Sequence, residues 1–302
     1  RLILVGDADQ LPPVGPGNFL RDCISSERIH TVELDEIFRQ AQESAIVRNA
    51  HAINRGEMPV SGGRDGDFFI MRKHSAEDVM QTVVDLCRKR LPDYYGFSPE
   101  QIQVLTPSRR QAAGTQQLNR MLQDALNPPD ACKPEKRYGD TIFRLGDRVM
   151  QVRNNYDIVW EKEHDPEEEG TGMFNGDVGK IVGISLRDEN LCVQFDDKLA
   201  HYTFDMLGEL ELAYAMTVHK SQGSEFDAVI VALPAGIGRR LLTRNILYTA
   251  ITRAKKLLVL VGDADVTETM VHTNTRNRRY SALRARLIRQ VPEDAQTSLE
   301  EE

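Results

Sequence analysis

Cysteine is scarce in this chain. Four are present, Cys23, Cys87, Cys132 and Cys192, far apart and with no Cys-x-x-Cys pair. Neither a zinc site nor a disulfide framework is indicated, and a reduced, cytoplasmic setting is the plain reading. Long apolar runs are also lacking. None approaches the ~20 residues that a membrane helix requires, so no span is expected. Basic charge is not in excess: 38 Lys and Arg against 46 Asp and Glu leave a net charge of −8. That balance argues against a passive DNA-coating protein, although it leaves room for local basic patches. The seven histidines are scattered. No His-Glu-x-x-His, nucleophile elbow or His/Cys ligand spacing occurs, so no metal site is expected within the chain. A phosphate-binding loop of the form Gly-x-x-x-x-Gly-Lys-[Ser/Thr] is missing too. Gly176-Asp177-Val178-Gly179-Lys180 has the wrong spacing and reads as a hairpin turn.

What is present is ordinary soluble-protein material, 40% hydrophobic and 28% charged, in 302 residues, enough for two or three cores. The opening Arg1-Leu2-Ile3-Leu4-Val5 has no signal-like character. It reads as a core strand already under way, which leads to the expectation that the chain is part of a longer protein. Acid gathers in Glu161 to Glu169 and in the tail Glu300 to Glu302. Arginine gathers at Arg276, Arg278, Arg279, Arg284, Arg286 and Arg289. Solvated surface is the simpler reading of these runs.

Residues 1–34 read as a buried-type strand, an Asp-Ala-Asp-Gln-Leu-Pro-Pro loop and a short helical piece. Ala45, Ile46, Ala50 and Ile53 have helical spacing within Gln40 to Arg55, closed by Gly56. Phe68 to Met71 predicts a strand. Ser75 to Asp78 predicts a capping box before the helix carrying Val79, Val83, Leu86 and Cys87. Ile102 to Pro107 predicts a strand, and Thr115 to Leu126 a helix stopped by Pro128-Pro129. Strands alternating with helices imply an α/β fold, a parallel sheet covered on both faces. Between Arg137 and Asp205 the pattern changes. Short β-type runs (Asp147 to Val152, Val178 to Ile184, Leu191 to Phe195, Ala200 to Phe204) predict a small antiparallel barrel inserted into the α/β unit, with Asp165 to Gly172 as an exposed hairpin tip. The α/β pattern resumes with Leu212 to Val218, Ala228 to Leu233, a helix near Arg244 to Ala254, and Leu257 to Gly262.

Four segments carry chemistry. Gly6-Asp7-Ala8-Asp9-Gln10 follows an apolar run that would deliver it to the C-terminal edge of a parallel sheet, where ligands bind. The uncharged Gln10 suits orienting a water towards a terminal phosphate. Arg39, in Ile37-Phe38-Arg39-Gln40, and Arg253 offer fixed, always-protonated forks for charge on equatorial phosphoryl oxygens. Arg253 lies at the border of the helical stripe Ile246, Leu247, Ala250, Ile251 and Ala254, with Thr243 as a candidate cap. In Thr217-Val218-His219-Lys220-Ser221-Gln222-Gly223-Ser224-Glu225, Gly223 lets backbone approach a nucleotide and Glu225 can accept from a ribose hydroxyl. Thr217, His219 and Lys220 can donate to a nucleic-acid backbone. Thr106, Ser108, Arg109 and Arg110 form a second basic patch, with an ordinary basic loop as its alternative.

In this order the segments resemble the later motifs of superfamily-one DNA helicases, most closely the RecD-like branch. Gly6 to Gly17 is similar to motif III, Phe38-Arg39-Gln40 to motif IV, Thr217 to Glu225 to motif V and Tyr248 to Ala254 to motif VI. The resemblance implies two RecA-like lobes that sandwich ATP with Mg²⁺ and ride 5′ to 3′ on single-stranded DNA. It implies a catalytic set of Gln10, Arg39 and Arg253, and nucleotide contacts that add Gly6, Asp7, Gln222, Gly223 and Glu225. Thr106, Arg109, Thr217, His219 and Lys220 would meet DNA. The expected layout is 1–34 as the end of a first RecA-like lobe and 35–136 as the first half of the second. An inserted SH3-like barrel would follow at 137–205, the second half of that lobe at 206–291 and an acidic tail at 292–302. The family's phosphate-binding loop and Mg²⁺-binding Asp-Glu pair would lie upstream of Arg1, so the chain alone is expected to be inactive. A non-catalytic nucleic-acid module, the motor subunit of a helicase–nuclease or repair complex, and a relaxase-linked or RNA-directed relative are the rival readings.

Overall fold

A computed structural model describes residues 2–12, 15, 17–34, 43–63, 65–111, 113–274 and 281–290. The expectations placed on Arg39, on Arg276, Arg278 and Arg279, and on the tail 292–302 lie outside the described residues.

Helix α1 (Phe19–Ser26) is followed by α2 (Ala45–Arg55), which buries Ile46, Ala50 and Ile53 as their spacing predicts. Its Ser44 hydroxyl accepts from the Val47 amide and closes the helix start. Strand β1 (Phe68–Arg72) leads to α3 (Ala76–Asp85), where the Ser75 hydroxyl accepts from the Asp78 amide at 3.0 Å. The helix then widens into a π-turn (Leu86–Arg90) before α4 (Leu91–Tyr95). No periodicity announces that turn, and Pro92 explains it. Its ring crowds the carbonyl four residues back and it has no N–H to offer, so the Leu91 amide reaches back to Leu86 instead.

Strand β2 (Ile102–Thr106) and helix α5 (Thr115–Leu126) follow where expected. A run of strands comes next: β3 (Glu135–Tyr138), β4 (Thr141–Arg144), β5 (Arg148–Gln151), β6 (Asn155–Lys162), β7 (Glu169–Met173), β8 (Val178–Ser185), β9 (Asn190–Phe195), β10 (Lys198–Thr203) and β11 (Leu210–Leu212). The chain then adds β12 (Ala215–Thr217), β13 (Phe226–Leu233), α6 (Arg244–Ile251), β14 (Ala254–Gly262), α7 (Ala264–His272) and α8 (Leu283–Gln290).

The first sheet has the order β1-β14-β13-β2-β12 and is parallel throughout. Helices cover both of its faces. Val229, Val231 and Leu233 of β13 pack with Ile46, Ile53, Leu247 and Met270 on one side. Ala228, Ile230 and Ala232 of the same strand pack with Val83, Leu118 and Leu122 on the other. A strand buried on both faces must be apolar at every position, which is why Ala228 to Leu233 reads as an unbroken run. Each such Val, Ile or Leu contributes about 1.5–3 kcal/mol by leaving water.

The second sheet is antiparallel, in the order β11-β5-β8-β9-β10-β6-β7. Val149, Ile158, Met173, Ile181, Val193, Tyr202 and Leu210, one from each strand, meet in a single core. One sheet whose strands all feed one core must roll upon itself, which is the small barrel expected of this region. Strands β6 and β7 were not legible beforehand. The acidic stretch is a tip only at 163–168, and from Glu169 onward it is strand.

The barrel is tied to the lobe by polar side chains on one face of α5 and just beyond its end. Asn119 donates to the Leu212 and Ala215 carbonyls and accepts from the Ala215 amide. Gln123 and Asn127 both donate to the fully buried Asp147, at 2.6 and 2.7 Å. The Tyr214 hydroxyl and the Arg144 amide complete its shell.

Three expectations fail. Residues 2–7 form no strand, and Leu2, Ile3 and Val5 are 83%, 84% and 94% exposed. The parallel sheet ends at β1 and β12, and among the described residues the apolar run pairs with neither edge. Helix α6 stops at Ile251, short of Ala254, and the Thr243 side chain makes no cap hydrogen bond.

Candidate functional site

The Gly6 to Leu11 segment docks on α6 and on the turn beyond it. Asp7 accepts from the Tyr248 hydroxyl at 3.0 Å and from the Gln10 amide at 3.1 Å. Asn245 donates to the Asp9 carbonyl, Thr249 accepts from the Leu11 amide, and Gln222 donates to the Leu11 carbonyl at 2.7 Å. The Asp9 carboxylate is held by Asn54 at 2.6 Å and faces Arg21 at 3.8 Å. Asn245, Tyr248, Thr249 and Thr252 recur at helical spacing along the polar side of the stripe that holds Ile246, Leu247 and Ala250. That periodicity was the available signal for residues the motif reading passed over.

Arg253 is the centre of this cluster and is 6% exposed. It lies in the turn after α6, not on the helix border. All three of its guanidinium nitrogens donate within the chain. Nη2 reaches Gln10 Oε1 at 2.9 Å and the Thr252 hydroxyl at 3.2 Å, Nη1 the Ser224 carbonyl at 2.9 Å, and Nε the Thr249 carbonyl at 3.2 Å. Burial lowers its pKa while Glu225, Asp7 and Tyr248 pull the other way. It remains cationic, as guanidinium does in proteins. Burial, with the Asp7 and Asp9 carboxylates beside it, pushes the Tyr248 hydroxyl up and keeps it a neutral donor. Gly223 has a φ of +82° and open space where a β-carbon would stand. Glu225 faces outward, 3.5 Å from Lys255.

Thr106 and Thr217, by contrast, are register partners at the C-terminal ends of β2 and β12. Thr106 is fully buried, and its hydroxyl donates to the Ala113 carbonyl at 3.2 Å. It supports this edge from within. Lys220 donates to Asn175 of the barrel at 2.8 Å. Burial lowers its pKa, as does Arg109, against Glu211. Arg109 itself is paired with Glu211 at 2.5 Å, and His219 is exposed.

The sequence-derived residues thus fall into two groups. Ser224 lies two residues before β13 and Arg253 immediately before β14, whose first residues Phe226 and Ala254 are register partners. The Gln10 loop therefore meets the N-terminal edge of this sheet, where its partners Thr249 and Arg253 lie. Thr217, His219, Lys220 and Arg109 occupy the opposite edge. At about 3.3 Å per residue of strand, the two edges are about 20 Å apart, and the segment from Val218 to Glu225 spans them.

Three family descriptions match the chain. Residues 118–195 fit the ATP-dependent RecD-like DNA helicase SH3 domain, residues 212–261 the UvrD-like helicase C-terminal domain, and residues 1–67 an AAA domain. The ATP-dependent RecD2 DNA helicase of Deinococcus radiodurans is 32% identical over 288 residues, which is 95% of this chain and 36% of that protein. The RecBCD enzyme subunit RecD of Mycobacterium tuberculosis is 30% identical over 313 residues, 95% of this chain and 48% of that one. The chain therefore spans between about a third and a half of the length of these two relatives. Among solved structures, a Bacteroides Pif1 helicase in complex with ADP-AlF3 and single-stranded DNA covers 98% of this chain, with 65% of its own length matched, at 19% identity and a TM-score of 0.47.

Proposed function

Given that this chain belongs to the RecD-like branch of the superfamily-one DNA helicases, we propose that it carries the second motor lobe, with its SH3-like insert, of an ATP-dependent enzyme that moves 5′ to 3′ along single-stranded DNA. The contact between Gln10 and Arg253 carries this reading. An uncharged amide and a buried cation, brought together at one edge of the lobe, fit the terminal phosphoryl of a nucleoside triphosphate. The open backbone at Gly223 and the outward Glu225 fit its sugar side. Gly6 and Asp7 complete the same wall, with Asp7 fixing Gln10 and Tyr248 in place.

ATP supplies, when bound, the phosphoanhydride whose hydrolysis drives movement. Arg253 is held by Gln10, Thr252, Ser224 and Thr249 until a stronger acceptor competes for its Nη donors. Charge-assisted bonds to phosphate are about twice as strong as those to neutral acceptors, so the guanidinium exchanges Gln10 for phosphate and frees the glutamine amide to orient water. Ser224 and Glu225 feel that exchange directly, and the segment back to Val218 carries it to Thr217, His219 and Lys220 at the DNA edge. Arg39 is proposed to join Arg253 at the phosphate. The main Mg²⁺ ligands are proposed to come from a phosphate-binding loop and an Asp-Glu pair outside these 302 residues. A cytoplasmic setting and repair or helicase–nuclease partners follow the same reading, the latter favoured by likeness to a RecBCD subunit.

The test is strand displacement by the protein that joins this chain to a phosphate-binding loop, on duplexes with a 5′ or a 3′ single-stranded tail. ATP-dependent unwinding from the 5′ tail, abolished in Arg253→Ala, is expected. Unwinding from the 3′ tail alone, or hydrolysis indifferent to Arg253, refutes the reading.

A further inference from the structure

The barrel turns two aromatic rings outward beside Lys220. Tyr156 of β6 and Phe174, one residue past β7, are 66% and 45% exposed. Their ring centroids lie 5.8 Å apart with the planes at 77°, an edge-to-face pair. Neither serves the barrel core, into which Ile158 and Met173 of the same strands are buried. The pair is nonetheless held in place. Gly172, at a φ of +105°, lies under it: a side chain there would start 3.5 Å from the Phe174 ring and 3.8 Å from the Tyr156 backbone. The next residue, Asn175, accepts from Lys220 Nζ, and its amide donates to Asn154 at 2.9 Å. The strand ends that carry the rings are therefore fastened to the turn after β12. Arg109 adds an exposed guanidinium group beside that turn, paired with Glu211.

Exposed ring faces fixed beside cations are what a single strand needs, since its phosphates follow positive charge and its bases stack on π faces. We infer that Tyr156 and Phe174 form a stacking platform for bases of single-stranded DNA whose phosphates run along Lys220 and Arg109. An edge-to-face pair leaves no slot between the rings, so a base stacks on an outer face, and Tyr156 offers the larger one. Every base has such a face, so the contact is tolerant of sequence. The inference rests on reading the Thr217 to Lys220 edge as the DNA edge.

Two probes separate it from that reading: an oligothymidylate, and an abasic phosphodiester oligomer of equal length, each titrated by fluorescence anisotropy against the whole 302-residue chain. The double variant Tyr156→Leu, Phe174→Leu keeps apolar bulk and removes the π faces. It is expected to bind oligothymidylate about tenfold more weakly and the abasic oligomer as the wild type does. Lys220→Ala is expected to weaken both, and Phe174→Tyr neither. Equal losses on the two probes, or no loss on oligothymidylate, overturn the platform. If Lys220→Ala still weakens both, the DNA edge stands without it. A wild-type chain that binds neither probe removes both readings together.

Discussion

Gln10 Oε1 accepts a 2.9 Å hydrogen bond from Arg253 Nη2 across 243 positions of sequence. The pair unites a loop that enters the structure before α1 with a turn that leaves α6, and it does so through a cation that is almost wholly buried. A buried guanidinium is costly unless its donors are used, and here every nitrogen is engaged. Under the proposed function, such an arrangement stores a cation where a phosphate can claim it.

If the proposed function holds, replacing Arg253 with Ala in the protein that joins this chain to a phosphate-binding loop should lower kcat for DNA-stimulated ATP hydrolysis by roughly 10³-fold or more, as loss of a phosphate-directed arginine does. Arg253→Lys should recover little, because a single ammonium nitrogen cannot reach acceptors that the guanidinium meets from three separate nitrogens. Gln10→Ala should cost less in rate and leave KM for ATP near its original value. Steady-state kinetics at saturating DNA check all three. A rate within a few-fold of wild type for Arg253→Ala would mean that the cation is structural.

At the opposite edge, two substitutions that look alike in sequence should part. Lys220→Ala should weaken single-stranded DNA binding and reduce the slope of log affinity against log salt by about one. Thr106→Val should leave both unchanged, since the Thr106 hydroxyl is buried and spent on the Ala113 carbonyl. Its cost should appear as roughly 1 kcal/mol of stability. Anisotropy titrations over a salt series decide it. A weaker affinity in Thr106→Val, with an unchanged melting curve, would place that hydroxyl on the DNA.

The apolar stripe of α6 was readable from spacing alone, and Leu247 sits in it fully buried, against the parallel sheet. Leu247→Ala should destabilise by about 2–5 kcal/mol, depending on how far the site collapses. Urea denaturation gives the value. Less than 1 kcal/mol would mean that this face of the sheet is loosely packed.

Strands and helices with a strong period, such as Ala228 to Leu233 or Thr115 to Leu126, were legible because burial on a fixed face imposes that period. The π-turn at Leu86–Arg90 was not, since a proline's effect on the preceding turn leaves no periodic trace. Strands β6 and β7 were hidden for a different reason. Their charged positions, Glu161 and Glu169 among them, are register partners on one side of a two-faced sheet, where charge is tolerated, and Gly170 gives way to the Trp160 ring on the other. Gln10 and Arg253 could be named from chemistry. That they meet at the N-terminal edge of the sheet could not, because edge choice depends on long-range docking to Asn245, Tyr248 and Thr249. Residue type proposed Thr106 for DNA contact, and only its burial shows the hydroxyl to be committed inward.

The junction of barrel and lobe carries a pH signature. Burial raises the Asp147 carboxyl above its ordinary value, against the donors Arg144 N–H, Asn127, Tyr214 and Gln123 that favour its charge. A raised folded-state pKa means that the folded chain holds this proton more tightly than the unfolded one. The stability it contributes is then full below the ordinary pKa, near 4, and is lost as pH rises through the higher folded value. Wild type should therefore lose stability relative to Asp147→Asn as pH climbs from the ordinary aspartate pKa to the raised one, with the difference levelling off above it. Asp147→Ala, which strands Gln123, Asn127 and Tyr214 without an acceptor, should cost on the order of 3 kcal/mol near neutral pH. Urea titrations of the three proteins across that range give the difference curve. A flat curve, or one of opposite slope, would show that the four donors outweigh burial and that the junction is held by an ordinary ionised carboxylate.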